Sequence, residues 1–77
     1  MYHIAVIGAG AWGTALALAA FRAHLKTSLW SISLDEVEAI NREHQNVSRL
    51  PGISLDPSLR ATTDPQEISN VDSIILA

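Results

Sequence analysis

Cysteine is absent from this 77-residue chain, so no disulfide can brace it. No group of residues has zinc-ligand spacing either. Both staples that usually hold a very small domain together are therefore missing. A cysteine-free chain suits a reducing compartment, and we expect a cytoplasmic protein. Positive charge is also scarce. Lysine occurs once, at Lys26, and the net charge is −3, which argues against a nucleic-acid partner. Long apolar runs are missing. Ala15 to Phe21 is far too short to span a bilayer. Met1-Tyr2-His3 carries no Lys or Arg, and Gly8, Gly10 and Gly13 would interrupt the apolar region of a signal peptide. There is no internal repeat and no low-complexity tract.

Apolar residues nevertheless make up 48% of the chain and charged residues only 17%. That is too apolar for a disordered segment and implies elements buried on more than one side. His3 to Ile7 reads HIAVI, a short branched run without polar alternation, as in a parallel strand covered on both faces. After Gly8–Gly13, Thr14 to Ala23 reads TALALAAFRA, rich in the strongest helix formers. His24 and Lys26 follow near the negative end of that helix's dipole. Thr27 to Ile32 is the second predicted strand. Ser33-Leu34-Asp35-Glu36 then forms a capping box, opening a helix over Leu34–Glu43 whose Leu34, Val37 and Ile40 share one face.

His44 to Leu59 reads as loop, with turn signals at Leu50-Pro51-Gly52 and Asp56-Pro57-Ser58. Arg60–Thr63 is a short predicted strand. Asp64-Pro65-Gln66-Glu67 starts a brief helix ending near Asn70. Ser73–Ala77, SIILA, is a fourth predicted strand. Strands alternating with helices imply a parallel sheet with right-handed crossovers.

Gly8-x-Gly10-x-x-Gly13 lies between the first strand and the first helix, the setting in which this spacing marks a dinucleotide site. Gly8 permits the tight turn. Gly10 lets a pyrophosphate approach the backbone. Gly13 lets the helix pack closely on the strand. Free N–H groups at the helix start then face the phosphates. The alternative is three glycines that merely make a tight turn. The fold class predicted is α/β, a Rossmann-type parallel sheet with flanking helices. We read residues 1–77 as a truncated, N-terminal part of a dinucleotide-binding domain, with the rest of that domain and a C-terminal substrate domain lying beyond. A second copy is expected to cover the exposed sheet edge beside Ile74, Ile75 and Leu76.

The end of the second strand should choose between NAD and NADP. NAD sites usually place an acid there, and NADP sites an Arg nearby. Ser31, Ile32 and Ser33 stand there instead, so the choice stays open. Ser33 could bond the ribose or only cap its helix.

The string Gly8-Ala9-Gly10-Ala11-Trp12-Gly13-Thr14-Ala15-Leu16-Ala17 resembles the bacterial NAD(P)-dependent glycerol-3-phosphate dehydrogenases. Leu29-Trp30, Glu36–Asn41, Leu50-Pro51-Gly52 and Ala61–Asp64 extend the likeness across the chain. The resemblance implies reduction of dihydroxyacetone phosphate to sn-glycerol 3-phosphate by NADH or NADPH, a step feeding phospholipid synthesis. It implies cofactor contacts at Ala11, Trp12, Ile32, Ser33 and Arg49, beside the glycines. Trp12 could equally be packing, and Arg49 a solvated loop residue. The family's basic residue just after Leu-Trp is missing here, and Arg49 replaces its usual aromatic.

The family's catalytic lysine chemistry lies further along, so no catalytic residue is assigned and the chain alone is expected to be inactive. His3, His24 and His44 make no catalytic pair. Other readings are a dinucleotide-binding fragment or remnant without turnover, and another Rossmann oxidoreductase such as one like 6-phosphogluconate dehydrogenase.

Overall fold

A computed structural model describes residues 2–47 and 49–77. Seven elements follow in chain order: β1 (His3–Ile7), α1 (Ala11–Arg22), β2 (Lys26–Trp30), α2 (Leu34–Glu43), β3 (Arg60–Thr62), a one-turn 3-10 helix at Pro65–Ile68, and β4 (Ser73–Leu76). The four strands form one sheet in the order β3-β2-β1-β4, and every pairing is parallel. Val6 sits opposite Leu29 on one side and Ile75 on the other, and Leu29 sits opposite Ala61. Because strand side chains alternate between faces, these four share the face that meets the helices. Val6, Leu29 and Ala61 form the core with Ala17 and Leu18 of α1 and Val37 and Ile40 of α2, and Ile75 packs against it.

The predicted elements are all present, with shifted ends. Helix α1 begins at Ala11 rather than Thr14. Glycine disfavours a helix interior, but Gly13 is helical because the helix must lie against the β1 turn. Strand β2 ends at Trp30 rather than Ile32. There the Ser31 hydroxyl accepts the Ser33 N–H at 3.1 Å and turns the chain. Strands β3 and β4 each stop one residue earlier than predicted.

Leu34 is a correction. It was expected on the buried face of α2 but is 56% exposed. As the first residue of its helix it projects past the elements that cover Val37 and Ile40. The loop from His44 to Leu59 also does more than connect, since Leu55 and Leu59 are buried in the core. Phe21 packs against the core from its margin. Trp30 is only half-buried, and its buried Nε1 has no acceptor among the described residues.

Candidate functional site

All four strands run in the same direction, so their carboxyl ends share one edge of the sheet. Ligands of open α/β sheets bind outside that edge. The glycine turn leaves it after β1. Its first amide is tied to β2, with the Gly8 N–H donating to the Trp30 carbonyl at 2.8 Å. Ile32 and Ser33 leave the same edge after β2. A cleft of about 460 Å³ lined by Phe21, His24, Lys26 and Arg60 opens toward the other end of the sheet and does not contain the turn.

The three glycines are required for different reasons. Gly8 has φ +115°, a conformation that side chains resist, and a Cβ there would lie 2.8 Å from the Ala77 carbonyl oxygen. At Gly13 a Cβ would overlap the Gly8 carbonyl oxygen, so close helix–strand packing alone demands glycine. Gly10 differs from both. Its backbone is ordinary extended, φ −71° and ψ −178°, and a Cβ would meet nothing within 4 Å. The chain's own packing therefore leaves room for a side chain that the sequence does not use.

The start of α1 is open as well. Gly10 occupies its N-cap without a side-chain cap, and the first turn has no acidic residue. Helix α2, by contrast, is capped by the Ser33 hydroxyl, which accepts from the Glu36 N–H at 3.3 Å. The Asp64 carboxylate caps the 3-10 turn, accepting from the Gln66 N–H at 2.9 Å. The first N–H groups of α1 thus face outward uncapped, the arrangement that suits an anion. Ala11 is exposed, and Trp12 is 69% exposed; the tryptophan is no packing residue of this chain.

Ser33 and Arg49, far apart in sequence, are brought together through Glu36. The capping box is only half made, because the Glu36 carboxylate turns elsewhere. Its Oε2 accepts from the Ser31 hydroxyl at 3.2 Å, and its Oε1 accepts from Arg49 Nε at 3.3 Å. Glu36 thereby sets a carboxylate beside Ser31 and Ser33, where the sequence has no acid at the end of the strand. Ile32 is 88% exposed beside them.

Sequence reasoning also missed two asparagines. Asn41 bridges α2 to β3, donating to the Ala61 carbonyl and accepting its N–H, both at 2.9 Å. Asn46 is buried under the glycine turn. Neither belongs to a glycine or capping pattern, so no spacing rule points to them. Among the described residues no group of acids and histidines could hold a metal ion, and no helix is long and apolar enough to cross a membrane.

A parallel sheet in this order, with a glycine turn leading from its first strand into an uncapped helix, defines the first half of a Rossmann-type dinucleotide fold. Residues 3–77 match the family described as NAD-dependent glycerol-3-phosphate dehydrogenase N-terminus, and the chain belongs to that family. It is 49% identical over 76 residues to the glycerol-3-phosphate dehydrogenase (NAD(P)+) of Paramagnetospirillum magneticum, a match covering 99% of this chain and 28% of that protein. It is 54% identical over 65 residues to the enzyme of the same name from Rhodospirillum rubrum, covering 84% of this chain and 19% of the other. Among solved structures, the Coxiella burnetii glycerol-3-phosphate dehydrogenase superposes with a TM-score of 0.89 at 37% identity, over 97% of this chain and 23% of that one. The chain thus spans about a fifth to a little over a quarter of the length of the relatives it matches.

Proposed function

We propose that this chain is the cofactor-binding opening of a glycerol-3-phosphate dehydrogenase, part of a protein that reduces dihydroxyacetone phosphate to sn-glycerol 3-phosphate in the cytoplasm. Residues 1–77 form the first part of the dinucleotide domain, and the substrate domain lies beyond them. Gly8, Gly10, Ala11, Trp12 and Gly13 hold the pyrophosphate side of the cofactor. Ile32, Ser33 and Arg49 flank its adenosine ribose. The nicotinamide supplies the hydride. This chain's residues bind and orient the cofactor but provide no acid for the substrate oxygen, so the chain alone does not turn over.

Gly10 carries the reading. Its missing side chain serves neither backbone conformation nor packing, and room left for a ligand explains it. Glu36 favours NAD over NADP. Its carboxylate lies where a 2′-phosphate would bring two more negative charges, and it already engages the nearest arginine, Arg49. The match to the dehydrogenase family favours this reading over a 6-phosphogluconate-type enzyme.

Titration of the chain with NADH, then NADPH, followed by the fluorescence of Trp12 and Trp30, tests the proposal. Saturable quenching with tighter NADH binding is expected. A folded chain that binds neither cofactor overturns it.

A further inference from the structure

Asn46 lies outside every element that contributes to the glycine turn, yet it makes the turn's only side-chain hydrogen bonds among the described residues. Its amide has two N–H donors. One bonds the Ala9 carbonyl oxygen at 2.7 Å and the other bonds Thr14 Oγ1 at 2.8 Å. Asn46 is 2% exposed, so both bonds are shielded from water. Its own backbone is anchored in turn. The Asn46 carbonyl accepts from Leu50 N at 2.7 Å and Arg49 N at 3.2 Å, and the His44 carbonyl two residues earlier accepts from Leu55 N at 2.8 Å.

We infer that Asn46 is a positioning residue for the cofactor's phosphates, aiming the Gly10 N–H by holding the Ala9 carbonyl. The inference rests on the reading of the turn as a dinucleotide site. The link is the peptide plane. Ala9 C=O and Gly10 N–H belong to one planar trans unit and point in opposite directions. With the carbonyl drawn inward to Asn46, the N–H is directed outward, on the side where Gly10 is exposed and where a Cβ would meet nothing. Among the described residues no group accepts from that N–H. If the peptide rotated, a carbonyl oxygen would face the pyrophosphate and repel it. Asn46 prevents this, because rotation would leave its buried amide without a partner. Thr14 accepts the amide's second N–H, a bond on which the hold on the Ala9 carbonyl does not depend. It is fully buried, and its own N–H bonds the Gly10 carbonyl at 2.9 Å. One side chain therefore spans the turn, from the peptide before Gly10 to the first turn of α1.

The test compares Asn46→Asp with Thr14→Val in the full chain. Each removes a buried hydrogen bond and lowers the urea midpoint, but only the first releases the Ala9 carbonyl. ADP, which carries a pyrophosphate, and NADH are the probes, titrated by calorimetry. Asn46→Asp is expected to weaken both at least tenfold, and Thr14→Val less than twofold. In nitrogen-15 spectra the Gly10 amide should shift on adding ADP to the wild type and to Thr14→Val, and not to Asn46→Asp. Asn46→Ala, which adds no charge, carries the same expectation if the Asp variant does not fold. Affinity losses that simply follow stability across the two sites, or an equal Gly10 response in all chains, overturn the inference. A folded wild-type chain that binds neither probe overturns the cofactor reading itself. A binding wild type matched by an unimpaired Asn46→Asp overturns only the role of Asn46.

Discussion

Glycines ten and thirteen share a motif but answer to different forces, and substitution separates them. Gly10→Ala places a methyl group in open space. The urea midpoint should hold, or rise slightly as the unfolded chain loses freedom, while NADH affinity falls at least tenfold. Gly13→Ala drives a methyl group into the Gly8 carbonyl and should cost about 3 kcal/mol or more, as overpacking does; denaturant unfolding measures it. Equal loss of stability in the two variants would refute the division. The charge at Glu36 makes a separate case. Glu36→Gln removes a carboxylate and frees Arg49 from its ion pair. NADPH affinity should rise several-fold relative to NADH, and competition titration reads the ratio. The pair is partly exposed, with side chains 59% and 21% accessible, so added salt should shrink the effect.

Helix α2 is closed at each end by a bond within itself and tied to the sheet from its middle. Ser33 caps its start, and His44 closes its end in the left-handed region at φ 54°, with its N–H on the Ile40 carbonyl. Between them Asn41 pairs with both backbone groups of Ala61, as a further strand would. It thereby closes part of the β3 edge, which has no strand beyond it among the described residues. Asn41→Leu should leave a donor and an acceptor unpaired beside α2 and cost about 2 kcal/mol or more. The measurement is equilibrium unfolding, with hydrogen exchange at the Ala61 amide locating the loss. Unchanged exchange there would show that Asn41 does not secure the edge. The cap of α2 was legible from Ser33-x-x-Glu36, because a capping pattern is local. The Asn41 bridge joins residues twenty apart, and only the packing of α2 beside β3 sets them side by side.

The whole molecule has two unlike faces. Helices α1 and α2 cover one. The other carries the 3-10 turn, and there Ile74 is 56% and Leu76 81% exposed. Beside them β4 ends the sheet, with no strand beyond it among the described residues. Exposed apolar side chains on an open edge favour strand-to-strand pairing. The chain alone should self-associate with rising concentration, as seen by sedimentation velocity, and Leu76→Lys should suppress this. A wild-type chain that stays monomeric at high concentration would argue against association through this edge.

The local features were settled by sequence alone. A branched run followed by spaced glycines and an alanine-leucine stretch can satisfy its backbone and bury its side chains in few other ways than β-turn-α. The family string Gly8–Ala17 lies within that stretch, which is why the class of ligand was legible. The tertiary structure decided what depends on distant residues. Leu34 turned outward because, among the described residues, no element covers the start of α2. Leu55 and Leu59 entered the core because their loop folds back over it. Glu36 left its capping box for Ser31 and Arg49, setting beside Ser31 a carboxylate absent from the end of β2. Asn46 reached the glycine turn from more than thirty residues away. Hydrogen bonds and burial act on proximity in space, and chain folding, not sequence spacing, creates that proximity.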